Sequence, residues 1–281
     1  MPATEEQFQW QEDLGKDGTK RLPIIFCLDT SSSMRVCLEG GIRTGERVWY
    51  EKERRMGWAV KGGVCALDQL NKGMKYFFSC IQKNMYALSA TEVAIVTFDD
   101  DAHLLKNFCR VRDVDQNILD HVQTGDCTFM GEGIQMALDK LEECLNSYKA
   151  HGVDYYAPWL ILMSDGEPNG SNFELQDAKK RIASLCRDEN MLIFPIAVGK
   201  RVNKKILSEI AMGRETTDIY GVDFTGLFDK MSEAAVLASE AVQEIEVESI
   251  LEGEEVVENE FYETTELKLS EEQIDLMDVV Y

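Results

Sequence analysis

The chain has 281 residues, enough for one α/β domain of about 200–250 residues flanked by arms. With 29 Lys and Arg against 51 Asp and Glu the formal charge is −22, which argues against a nucleic-acid binder, because a phosphate backbone needs a basic patch. No apolar run reaches the roughly 18–20 residues of a membrane span, and residues 1–20 lack the pattern of a secretory signal, so the expectation is a soluble, cytoplasmic protein.

In chain order, residues 1–20 read as a polar arm, and LPIIFCL at 22–28 reads as a buried strand. The serine-rich stretch CLDTSSSM (27–34) follows it. Residues 36–53, with adjacent glycines and then a Trp-Tyr pair, read as an inserted loop or small β-hairpin ahead of a helix at 54–82. A strand at 92–98 is separated from a short one at 104–108 by residues 99–103 only. That gap is too short for a helical crossover, so the second is predicted as an antiparallel edge strand. A helix is expected at 114–122, and GDCTFMGEG (125–133) opens another at 132–150. There Ile134, Met136, Ala137, Leu138, Leu141 and Leu145 share a face, and Gly152 is placed to end the helix. Strands at 159–163, 191–198 and 219–222 alternate with helices at 175–189, 204–212 and 224–238.

This alternation predicts a Rossmann-like, doubly wound α/β fold over 21–238: a mostly parallel six-stranded sheet with one antiparallel edge strand and helices on both faces. The remainder, 239–281, is an acidic tail; from 240 to 281 it carries fifteen Asp and Glu against one Lys. Eight cysteines without Cys-x-x-Cys spacing read as reduced thiols, and three widely spaced histidines make a zinc site improbable.

The chemistry gathers in three loops. Asp29, Ser31 and Ser33 form D-x-S-x-S after the first strand, Thr128 lies in a glycine-flanked loop, and LILMSDGEP (160–168) ends a buried strand at Asp165. In an open parallel sheet such carboxyl ends meet at one edge. Two carboxylates and three hydroxyls, without imidazole or thiolate, suit magnesium or manganese. Asp99, Asp100 and Asp101 read as a solvated turn in preference to a second metal site.

D-T-S-S-S (29–33), T-x-x-G (Thr128 to Gly131) and S-D-G-E-P (164–168) are similar, in order and spacing, to the metal-ion-dependent adhesion site (MIDAS) of von Willebrand factor A-type domains. LPIIFCLDTSSSM, EVAIVTFDD and FPIAVG further resemble the cytoplasmic bacterial members associated with tellurite resistance and stress response. The resemblance implies that Asp29, Ser31, Ser33, Thr128 and Asp165 hold one Mg2+ or Mn2+ ion, the two acids directly or through water. It further implies a partner protein that completes the shell with a Glu or Asp, within a stress-response or phosphorylation-linked assembly. The acidic tail is a second candidate source of that carboxylate. The loop at 36–53 would set specificity, with Trp49, Tyr50, Arg54 and Arg55 placed to rim the site.

Other readings are weaker. A haloacid-dehalogenase-like phosphatase needs a second acid where Ser31 stands, serine hydrolysis lacks a nearby base, and neither G-x-G-x-x-G nor a P-loop lysine occurs. The expectation is therefore not an enzyme. The alternatives are a metal-dependent phosphatase or hydrolase, and a structural subunit in which D-T-S-S-S merely caps a helix.

Overall fold

The computed structural model describes residues 10, 18–35, 37–50, 55–118, 120, 122, 124–198, 202–219 and 224–240. Strand β1, Leu22–Asp29, is buried along its whole length, as its run of branched and aromatic side chains requires. It lies between β6, Thr91–Phe98, and β8, Trp159–Ser164, parallel to both. Outside β8 come β9, Leu192–Val198, and β10, Thr217–Ile219, each parallel to its neighbour. Outside β6 lies β7, Ala102–Arg110, antiparallel to it. The six-stranded order is thus β10-β9-β8-β1-β6-β7, with the expected antiparallel edge.

Alternate residues of each central strand face opposite layers. Phe26, Leu28, Ile161 and Met163 join one core with helices α1, Ala66–Lys83, α2, Met85–Ala90, and α6, Phe224–Glu240. Ile25, Cys27, Leu160 and Leu162 join the other with α3, Met130–His151, α4, Asn172–Asp188, and α5, Lys204–Ile210. Gly152, at φ 64°, ends α3 in the left-handed conformation, as its sequence position suggests.

Three elements differ from expectation. The helix expected at 54–82 begins only at Ala66, because Arg55–Lys61 (β4) pairs with Ile42–Tyr50 (β3) in a hairpin. Gly62 and Gly63, both at positive φ, then break the chain before the helix. The hairpin stands on a second short pair, β2 (Cys37–Glu39) with β5 (Val64–Cys65), so the insertion runs further than 36–53. At 114–122 the described residues form turns in place of a helix: the Asp115 carboxylate accepts from the Asn117 N–H, and a local bond of this kind competes with helical pairing. Thirdly, Asn84 ends α1 and caps α2 by accepting from the Ala87 N–H; this short helix lies between the helix expected at 54–82 and the strand expected at 92–98, where no element is predicted. The last strand expected, 219–222, is seen as Thr217–Ile219; residues 220–223 and the tail from 241 lie outside the described residues.

At the amino end of the sheet, the fully buried Arg21 and Glu92 face each other, Nε to Oε1 at 3.5 Å. Glu92 also accepts from Tyr148 and from Trp10, whose ring lies beside that of Tyr148. Burial pushes the Glu92 carboxyl above its ordinary range, while Tyr148, Arg21 and Trp10 oppose that rise. This polar cluster is structural, at the opposite end of β1 from Asp29.

Helices α1 and α6 approach closely because Gly73 has no side chain. A Cβ there would lie 2.2 Å from Cδ2 of Phe228, whose ring is held by Phe26 and Phe77. Gly73→Ala is expected to destabilise the protein by about 1–3 kcal/mol in urea denaturation; an unchanged midpoint would show that the helices separate freely.

Candidate metal centre

Two of the motifs follow β1 and β8 at one edge of the sheet, and the third, at Thr128 between β7 and α3, is tied to that edge by the bonds of Ser32 N–H to Gly125 O and of Phe129 N–H to Asp99 O. Asp29, with 0% exposure, uses both oxygens: Oδ1 accepts from the Ser31 N–H at 2.8 Å and Oδ2 from the Ser164 hydroxyl at 2.6 Å. The chain then enters a short 3-10 turn, Ser32–Arg35, which places the Ser31 and Ser33 hydroxyls 2.9 Å apart. The Ser33 hydroxyl donates to Asp165 Oδ1 at 2.7 Å. Gly166 marks where Thr128 joins them: a Cβ on it would lie 3.5 Å from Thr128 Oγ1 and 4.0 Å from Asp29 Oδ2. Asp29, Ser31, Ser33, Thr128 and Asp165 are thus brought together, with Asp29, Ser31 and Thr128 at the buried base and Ser33 and Asp165 half-exposed.

Backbone and side-chain bonds fix the Thr128 loop. The Ser32 N–H donates to Gly125 O at 2.7 Å, and Arg35 donates to Val122 O and Thr124 Oγ1. Asp99, 6% exposed, accepts from the Gly125 N–H and from the Thr30 hydroxyl. Asp100 accepts from the Asp126 and Cys127 N–H groups, at 3.1 and 2.7 Å. The Asp99–Asp101 cluster is therefore not a merely solvated turn, because two of its acids bind the loop that carries Thr128. Sequence reading missed this role and that of Ser164; the only signal was their place beside strand ends in FDDD and LMSDG.

Helix α3 begins two residues after Thr128, and its Gly131 explains the glycine of T-x-x-G. A Cβ at that position would meet the Leu175 backbone N at 2.8 Å, so only glycine lets α3 reach the first turn of α4. In the first turn of α3, burial together with the neighbouring Glu174 and Asp101 carboxylates pushes the Glu132 carboxyl above its usual range.

Among the described residues no three His, Cys, Asp or Glu side chains gather as a metal-binding group. The cluster instead has two carboxylates supplemented by three hydroxyls, a donor set of hard oxygens. The missing Cβ of Gly166 leaves open the space beside Thr128 and Asp29. A small, hard divalent cation fits these residues; a soft metal finds no ligand among them. Trp49, Tyr50, Arg54 and Arg55, expected from the sequence to rim the site, have side chains outside the described part.

Residues 68–232, more than half of the chain, match the sequence model of the von Willebrand factor type A domain. The matched span holds Thr128 and Asp165 and starts after the insertion, so Asp29, Ser31 and Ser33 precede it. In fold, the chain is similar to the von Willebrand factor type A structure from Catenulispora acidiphila, at 13% identity over 78% of this chain and 43% of that one, TM-score 0.53. It is similar to the vWF domain of the type V pili tip protein Mfa5 from Porphyromonas gingivalis, at 11% identity over 81% and 99%, TM-score 0.52. It is also similar to the PilB minor pilin from Streptococcus sanguinis, at 13% identity over 78% and 62%, TM-score 0.50. The chain thus spans less than two thirds of the Catenulispora and Streptococcus proteins. No curated protein matches it.

Removing the Asp100 carboxylate should loosen the Thr128 loop selectively. In Asp100→Ala, the amides of residues 126 and 127 are expected to exchange with solvent at least about tenfold faster, while those of β1 keep their protection. Equal protection at 126 and 127 in both proteins would show that Asp100 does not hold the loop.

Proposed function

The chain belongs to the von Willebrand factor type A domain family, and on that premise we propose that it is a metal-ion-dependent protein-interaction module, not an enzyme. The observation that carries this reading is the 2.7 Å contact of Ser33 with Asp165, which closes the D-x-S-x-S loop onto the end of β8. Asp29, Ser31, Ser33, Thr128 and Asp165 would hold one Mg2+ or Mn2+ ion. When bound, such an ion supplies a positive centre for a Glu or Asp of a partner protein. Ser164 and the Ser31 N–H orient Asp29, and Asp99 and Asp100 hold the Thr128 loop in place.

That neither described histidine belongs to the cluster supports a binding role: His103, on β7, lies 3.5 Å from Asp99 Oδ1, and His151 bonds to Ser147 O at the far end of α3. A metal-dependent phosphatase or hydrolase therefore ranks below a binding module. A cytoplasmic setting within a stress-response assembly is the finer proposal, supported by the resemblance of the strand sequences to tellurite-resistance members. Among the described residues no helix is long and apolar enough to cross a membrane. The acidic tail is proposed as a tethered competitor whose deletion strengthens partner binding.

A second reading has its own support: the cluster's hydroxyls and carboxylates already bond to one another, Ser31 to Ser33, Ser33 to Asp165 and Ser164 to Asp29. Such a network can hold the loops without a cation, in a domain that serves as a structural subunit.

Calorimetric titration with magnesium and manganese separates the two. The wild type is expected to give saturable heat, Asp165→Ala none, and Ser164→Ala an affinity about 10–100-fold lower. No heat from a folded wild type would favour the structural subunit.

A further inference from the structure

The insertion between β1 and α1 is closed at its base by β2 and β5, and there the chain places a cysteine on each strand. Cys37 and Cys65 are direct partners in the antiparallel register. Residues so paired have Cα atoms about 4.5–5.5 Å apart, inside the span of about 4.4–6.8 Å that a disulfide bridges. Both are thiols in this structure. Their surroundings differ in a useful way. Cys37 is half-exposed, four residues after Ser33, whereas Cys65 is 8% exposed at the N-cap of α1. The Cys65 thiol donates to Asp68 Oδ2 at 3.0 Å, and its sulfur accepts from the Asp68 N–H.

We propose that Cys37 and Cys65 form a reversible disulfide across the base of the 38–64 insertion, with a low-molecular-weight disulfide such as oxidised glutathione as oxidant. In the first exchange the Cys37 thiolate attacks the small disulfide, forming a mixed disulfide and releasing one small thiol. In the second the Cys65 thiol gives its proton to water and its thiolate attacks Cys37 Sγ, the proton being regained by the departing small thiolate. The S–S bond of the mixed disulfide breaks, the Cys37–Cys65 bond forms, and the second small thiol leaves with a proton. Two protein thiols are oxidised and one small disulfide is reduced. Burial and the Asp68 carboxylate hold the Cys65 thiol protonated at rest, which reserves the initial attack for Cys37. The bond would tie the foot of the β3–β4 hairpin to the start of α1, four residues from the Ser33 hydroxyl. It draws Cys65 away from its capping role in exchange for a covalent staple.

The test uses the full chain, oxidised glutathione and alkylation of the remaining thiols before mass analysis. Expected are two fewer alkylated cysteines than in the reduced protein, a linked peptide pair containing Cys37 and Cys65, and reversal by dithiothreitol. Cys37→Ser should yield no linked pair. Cys65→Ser keeps an oxygen at the cap, so it should fold and trap the glutathione adduct on Cys37. Asp68→Asn removes the carboxylate that helps hold the Cys65 thiol protonated, so it should speed the second exchange and leave the rate of the first unchanged. A wild type that stops at a glutathione adduct on Cys37, or that links other cysteines as readily, would overturn the assignment. Neither readout depends on a metal ion, so it stands or falls apart from the proposed function.

Discussion

A carboxylate buried at 0% exposure must find donors or be neutralised, and Asp29 meets this requirement through the Ser31 N–H and the Ser164 hydroxyl. The first donor is local, two residues on. The second is available only because β8 lies directly beside β1 in the sheet. The same device recurs along this edge. Asp99, after β6, takes the Gly125 N–H, and Asp165, after β8, takes the Ser33 hydroxyl. Each of three parallel strands ends in an acid that reaches across to another loop. The strand order thus assembles the cluster, and the hydroxyls are held in position before any cation arrives.

Much of the sheet was legible because its strands are short apolar runs, continuous where both faces are covered, and because residues 99–101 leave no room for a crossover before β7. The placement of Asp29, Ser31, Ser33 and Asp165 at one edge was legible for the same reason, since each follows a strand end, whereas Thr128 was marked by its glycine-flanked loop at the start of a helix. What escaped was settled by contacts that spacing does not encode. Asp115 bonding to the Asn117 N–H replaced the helix expected there. The pairing of Arg55–Lys61 with Ile42–Tyr50 claimed residues whose pattern also suits a helix. Ser164, Asp99 and Asp100 act through partners 135, 26 and 27 residues away, distances at which periodicity carries no information.

The insertion also shapes how the family pattern is distributed. It separates D-T-S-S-S from α1, and the family match accordingly begins at residue 68, inside that helix. Yet the loops remain mechanically joined: Ser32 and Arg35 bond to the segment before Thr128, while Gly131 lets α3 start against α4. A hairpin rooted on β2 and β5 is therefore fixed at one end to the oxygen cluster and at the other to the helix that packs on the core. Through the proposed Cys37–Cys65 bond, the redox state of the surroundings would reach both ends.

The most direct measurement of the proposed metal centre is anomalous diffraction from crystals of the full chain grown with manganese. A single strong peak bounded by Asp29, Ser31, Ser33, Thr128 and Asp165, at oxygen-coordination distances of about 2.0–2.3 Å, is the expected result. Anomalous density confined to other acidic groups, with the Ser33–Asp165 and Ser164–Asp29 hydrogen bonds undisturbed, would contradict it.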